Sequence, residues 1–314
     1  MGFFTSKRKA QGWMAVSLHP DRVDLAHVCR PAGARPEIRS LESFKCDKAQ
    51  GMALDVLRRQ RRLAGYRCVT ALGSGDYQIL QVDAPAVPRE ELKEAVRWRI
   101  KDLIDYAPDT ATLDAVEVPS ASGSARARSV YVVCARNDIV RTRMQLFKQA
   151  KVPLEVIDVP EMALRNVAAL WSEPGRAIAV ALMAFDDQGG TLVITAGGEL
   201  CASRRIEVTG VQLADEDKAR QHACFERVGL ELQRSFDHYD RQPGAFPIAA
   251  LRVAGPAASD LVTYLGNELP VAAGTVDLAS VLQFPSVPEL RDLGRQAQCL
   301  VAIGLALRDE DATP

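Results

Sequence analysis

At 314 residues, with 47% hydrophobic and 25% charged side chains, the chain has the composition of a soluble globular protein and suits two lobes with separate cores. Lysine plus arginine (39) nearly balances aspartate plus glutamate (40), which excludes a global field that would draw nucleic acid or anionic lipid. Seven cysteines, an odd number with no C-x-x-C pair, exclude a disulfide framework and favour a reducing compartment.

In chain order, the N-terminus Met1–Lys9 is basic and meets the N-myristoylation pattern, but no apolar core follows to make a secretory signal. A tag-like end is expected, with membrane contact through Phe3 and Phe4 as the sharper reading. Three extended runs follow, Trp13–Leu18, Val23–Arg30 and Glu37–Cys46, separated by His19-Pro20-Asp21-Arg22 and by the Pro31–Pro36 break. A helix is predicted over Ala49–Leu63, with Arg58–Arg62 on a solvated face, and then a strand over Arg67–Leu72. The same order recurs: Ala177–Phe185, a turn at Asp186–Gly190, Thr191–Ala196, Gly197-Gly198, Glu199–Val208, a helix over Glu226–Tyr239 and a strand over Ile248–Ala254. Two copies of β-β-β-α-β predict an α/β protein with the duplicated ribonuclease-H-like core of sugar kinases, heat-shock ATPases and actin.

Between the copies an inserted α+β module is expected over Tyr77–Ile157: strand Tyr77–Val82, helix Pro88–Asp105, strands Thr112–Val118 and Val130–Ala135, and helix Asp138–Lys151. Its first helix opens on Pro88 with Glu90 and Glu91 in the first turn, and Leu92, Val96, Ile100 and Leu103 define the expected buried face. Trp98 lies off that stripe; packing on a strand and contact with a partner are equally open to it. The Ser/Ala/Gly/Arg-rich loop Pro119–Arg128 is expected to be mobile. The first lobe then comprises residues 1–76 and 158–175, and the second residues 176–314, with a vestigial insertion at 209–225 in place of a fourth subdomain.

Catalytic signatures are missing. Gly73-Ser74-Gly75 is a turn rather than a Walker loop, and neither G-x-S-x-G nor H-E-x-x-H occurs. His27 with Cys29, and His222 with Cys224, lack the further ligands of a zinc site, so no metal is expected. The pairs Glu90-Glu91 and Asp186-Asp187 suit a helix start and a turn better than acid–base work.

Several fragments, in fixed order, resemble the PilM family of type IV pilus assembly proteins, and most of all its MshI-type members from mannose-sensitive pilus systems. The helix from Glu90 to Trp98 running on to Ile104-Asp105-Tyr106-Ala107-Pro108 is similar to the family's acidic helix with its "YIPF"-like end. Leu113-Asp114-Ala115-Val116, Val130–Arg136, Leu154–Val159 and the tail Val301–Arg308 resemble the family's "LDY/F-x-V", "V-x-L-x-A-x-R", "P-E-V-V-D-V" and "A-x-G-L-A-L-R". The resemblance implies an actin-like ATPase architecture and a cytoplasmic scaffold, peripheral at the inner membrane. It also implies a partner, the cytoplasmic N-terminal peptide of a PilN-like inner-membrane protein, held between the first lobe and the inserted module. Tyr77, Ile79, Trp98 and Tyr106 are nominated for that groove. Homo-oligomers stay open.

The chain departs from the family at its nucleotide loops. Ser17 and His19 stand where the first loop has aspartate and glycine, and Pro20 removes an N–H donor. Ala184 replaces the second acid, Asp186 and Asp187 put negative charge where phosphate would lie, and the adenosine motif shrinks to Ala254-Gly255-Pro256. No cofactor is therefore expected, ATP included, and no catalysis. The competing readings are an actin-like ATPase with unusual loops and the actin-like scaffold of a type II secretion system. The latter would be expected to continue into a membrane span beyond Pro314.

Overall fold

The computed structural model describes residues 9–46, 50–121, 128–173 and 175–309. The expectations for the basic N-terminal segment 1–8 and for loop residues 122–127 lie outside the described residues. The first sheet starts with β1 (Trp13–Leu18), β2 (Arg22–Cys29) and β3 (Glu37–Lys45), a meander in which Trp13 and Ala15 face one core while Met14 and Val16 face another. Helix α1 (Gln50–Gln60) leads into β4 (Arg67–Ala71), which pairs parallel with β1.

The inserted sheet consists of β5 (Tyr77–Asp83), β6 (Ala111–Glu117) and β7 (Ser129–Arg136), in the order β5-β7-β6, all antiparallel. Helix α2 (Leu92–Arg99) covers its outer face, packing Leu92, Val96 and Ile100 against Val130, Val132 and Cys134. Two expectations for this module fail. The helix stops at Arg99 instead of reaching Asp105, and the turns that follow point Leu103 outward, 53% exposed, while Ile104 enters the core. The module also ends before residue 157. Helix α3 (Asn137–Gln149) packs Phe147 into the core beneath α1, and β8 (Leu154–Asp158) joins β4 as the fifth strand of the first sheet, order β3-β2-β1-β4-β8.

Helix α4 (Pro160–Ala168) then crosses to the second half of the chain. There β9 (Ala179–Asp186), β10 (Gly189–Ala196) and β11 (Glu199–Ile206) repeat the meander. After α5 (Gly210–Leu213) and α6 (Lys218–Asp240), β12 (Ile248–Ala254), α7 (Ala258–Glu268) and β13 (Ala273–Thr275) complete a sheet of order β11-β10-β9-β12-β13, the counterpart of the first. The supposed vestigial insertion at 209–225 is α5 plus the first two turns of α6. Asp217 caps α6 by accepting hydrogen bonds from the Ala219 and Arg220 amides, so the helix begins eight residues before the expected Glu226. After α8 (Leu293–Gln298), the last helix, α9 (Leu300–Ala306), returns to lie on β1 and β2.

The lobes thus exchange their closing helices: α4 packs on β9 and β10, α9 on β1 and β2, and the two helices cross each other. At the crossing a Cβ on Gly304 would stand 2.2 Å from the Ala163 carbonyl oxygen, and the buried Asn166 amide donates to the Gly304 carbonyl at 2.9 Å. One continuous core therefore runs from Trp13 and Val28 through Ala163 to Leu182, Val193 and Ile303.

Candidate functional site

The first nucleotide-loop position is the β1–β2 turn, closed by a hydrogen bond from the His19 amide to the Arg22 carbonyl at 2.9 Å. Ser17 Oγ lies 3.2 Å from His19 Nε2, and that same nitrogen lies 3.1 Å from Asp24 Oδ2. Arg22 Nε donates to Asp24 Oδ2 at 3.0 Å, Ser43 Oγ donates to the other oxygen, and Arg295 from the second half donates to Ser43 Oγ at 2.7 Å. The Asp24 side chain is 0% exposed. Burial works to raise its pKa, but the hydrogen bonds from His19 and Ser43 and the charges of His19 and Arg22 together hold it below the ordinary 3.8. Serine, histidine and aspartate occur together here without forming a catalytic triad. Both contacts use Nε2, so the imidazole cannot take a proton from serine on one nitrogen while aspartate orients the other.

The second loop is a tight hairpin between Asp186 and Gly189, narrower than the expected turn over 186–190. Asp186 Oδ1 accepts the Gln188 amide at 2.7 Å, and Arg205 takes the Gln188 carbonyl at 3.2 Å. A Cβ on Gly190 would stand 2.2 Å from Met183 Cε, and one on Gly255 3.0 Å from the Phe185 Cβ. Gly210, opening α5, abuts Pro256 Cδ at 3.2 Å and the Asp186 carbonyl at 3.4 Å from its Cβ position. Ala184 is spent on pairing with Thr191. A bound nucleotide needs free amides for phosphate and an acid aimed at the metal. At these positions the His19 and Gln188 amides already have acceptors, and Asp24 is enclosed by Arg22, His19 and Ser43. These two amides and this acid are thus already engaged within the chain. Among the described residues no group of three or more His, Cys, Asp and Glu could hold a metal ion.

The nominated partner residues are divided by the structure. Alternation along β5 turns Tyr77 and Ile79 toward the central core and Leu80 and Val82 toward α2. Tyr77 donates its hydroxyl to Glu161 at 2.5 Å, in a cavity of about 280 Å³ also walled by Ile79, Tyr131 and Arg205. Glu161, in the first turn of α4, is 3% exposed, and burial outweighs its Tyr77 hydrogen bond to raise its pKa. Burial, and then Glu161, likewise push the Tyr77 phenol far up. Tyr106 packs on the α2 side of the inserted sheet and shares with Tyr77 a smaller cavity of about 200 Å³, beside Asp105 and Arg136. Trp98, 77% exposed on α2, lines neither cavity. Glu161, Tyr131 and Arg205 escaped sequence reasoning. The one available signal was an acid on a helix whose other residues are almost all apolar.

Residues 53–228, more than half of the chain, match the family described as type IV pilus assembly protein PilM. The chain belongs to the PilM family. Its fold is similar to that in a solved PilM–PilN type IV pilus biogenesis complex, at 19% identity and a TM-score of 0.71, over 96% of this chain and 98% of that one. It is also similar to a Bacteroides thetaiotaomicron protein of actin-like ATPase fold, at 10% identity and a TM-score of 0.51, over 95% and 98% of the two chains. No curated protein matches in sequence. This PilM-family member is therefore an actin-like α/β protein with an inserted three-stranded module.

Proposed function

We propose that this PilM-family protein is a nonenzymatic scaffold, set at the cytoplasmic face of the inner membrane in a type IV pilus machine of the MshI type. In this reading it holds the cytoplasmic N-terminal peptide of a PilN-like membrane protein between the first lobe and the inserted module. The observation that carries it is the occupation of both nucleotide loops by the chain's own hydrogen bonds, around Asp24 and around Asp186. The cavities beside Tyr77, walled by strand β5 and by Tyr106, offer the aromatic and apolar pockets that an extended peptide uses for specificity. The solved PilM–PilN complex, of similar fold, supports the choice of partner. Among the described residues no helix is long and apolar enough to cross a membrane, and in this reading the partner supplies the membrane-spanning anchor.

Calorimetric titration tests both halves. With ATP and magnesium we expect no heat. With a synthetic cytoplasmic N-terminal peptide of a PilN-like protein, we expect binding that Ile79→Asp weakens at least about tenfold, the loss of one apolar contact. Saturable heat with ATP would restore the ATPase reading, and peptide binding indifferent to Ile79→Asp would move the groove elsewhere.

A further inference from the structure

Trp98 is the one nominated residue that the peptide cavities leave unexplained, and its surroundings suggest a use. It stands 77% exposed near the C-terminal end of α2, and Leu103, 53% exposed, follows on the turn beyond. Both sit on the outer layer of the inserted module, on the side of its sheet opposite Tyr77 and Ile79. The cations of the module sort into two groups. Lys93 pairs with Asp114, Arg97 with Glu94, Arg128 with Glu117 and Arg136 with Asp138. Arg99 and Lys101, which lie between Trp98 and Leu103, are exposed and take part in none of the described ion pairs. One acid, Asp102, shares the segment and leaves it net positive.

An exposed tryptophan and leucine bracketing two uncommitted cations match the chemistry of an anionic membrane surface. The indole suits the headgroup layer, leucine enters the acyl boundary, and arginine and lysine meet lipid phosphate. A protein partner is less well served, because interface tryptophans gain their energy in buried pockets, whereas this one stands 77% exposed at a helix end. We infer that residues Trp98–Leu103 form a membrane-docking surface of the inserted module, specific for anionic lipid. It goes beyond peptide capture and stands without it. The contact is small, so it adds to a tether rather than replacing one.

The test is flotation of the full chain with phosphatidylcholine vesicles that contain or lack phosphatidylglycerol, read together with the tryptophan emission. Binding to the anionic vesicles with a blue-shifted emission is expected. It should weaken at least about tenfold in Arg99→Glu/Lys101→Glu, from two reversed surface charges. Trp98→Ala should lose the blue shift, and both variants should melt like wild type because the replaced side chains are exposed. No binding to anionic vesicles, equal binding to both vesicle types, or binding unchanged in both variants would each overturn the inference. So would binding that vanishes only when residues 1–8, with Phe3 and Phe4, are removed. Peptide titration of the same variants keeps the two proposals apart, since none of the three replaced side chains lines the Tyr77 cavities.

Discussion

Replacing Gly304 with alanine places one methyl group at the crossing of α4 and α9, where three backbone atoms of Ala163 already occupy its space at 2.2, 2.6 and 3.1 Å. Backbone cannot rotate away, so the helices must part. Overpacking of this kind costs about 1–3 kcal/mol. Parting also stretches the Asn166 hydrogen bond to the Gly304 carbonyl, and an unsatisfied buried amide costs about 1–3 kcal/mol. Against this, alanine gains about 1 kcal/mol of helix propensity over glycine. The balance is about 3 kcal/mol of destabilisation. Gly266→Ala on α7 is the paired control, because nothing lies within 4 Å of its Cβ position; there the propensity gain acts alone, about 0.4–1 kcal/mol. Urea unfolding followed by circular dichroism reads both variants. A Gly304→Ala midpoint at or above that of wild type would refute the argument that the crossing holds the lobes.

Asp24→Asn should destabilise by about 2–4 kcal/mol, since Arg22 and His19 lose a buried anion. Because the folded Asp24 pKa lies below 3.8, its contribution is complete above about pH 4 and is lost as pH falls through the folded value; the variant's stability profile should be flatter there, read from urea midpoints between pH 3 and 5. Glu161 carries the opposite sign. Its raised folded pKa gives full stability below 4.5, lost as pH rises, so Glu161→Gln should match or exceed wild type at pH 7, with the difference vanishing below pH 4.5 in the same assay. In Tyr77→Phe, Glu161 loses its hydroxyl donor; thermal unfolding should fall by about 1–3 kcal/mol equivalent, and no fall would mean that water replaces it.

Both meanders could be read from the sequence because short apolar, β-rich runs are punctuated by proline, glycine or aspartate, as at His19–Arg22 and Gly197-Gly198. The helices that join the lobes could not. In α4 every residue from Glu161 to Leu164 is buried, and in α9 Ala302 to Ala306 are buried, so neither shows a polar face or a helical stripe. The overlong α2 has a related cause: no glycine or proline marks its end at Arg99, and Leu103 fits the stripe as well as Ile104 does. In the candidate site, Tyr77 and Ile79 stand out in the sequence only as aromatic and apolar residues at the edge of the inserted module. Glu161 meets Tyr77 from 84 residues away, through a fold contact that local pattern does not encode.

The exchange of α4 and α9 also bears on what happens if the chain is cut. A break in the connection between α4 and β9 leaves an amino-terminal piece carrying a helix whose seat is on the other piece. The carboxy-terminal piece then carries α9, whose seat is β1 and β2. Each fragment alone exposes a sheet face meant for its counterpart. Mixed together, the two supply each other's missing layer. The molecule is thus built as a natural split pair, whose halves should be unstable apart and should reassemble on co-expression.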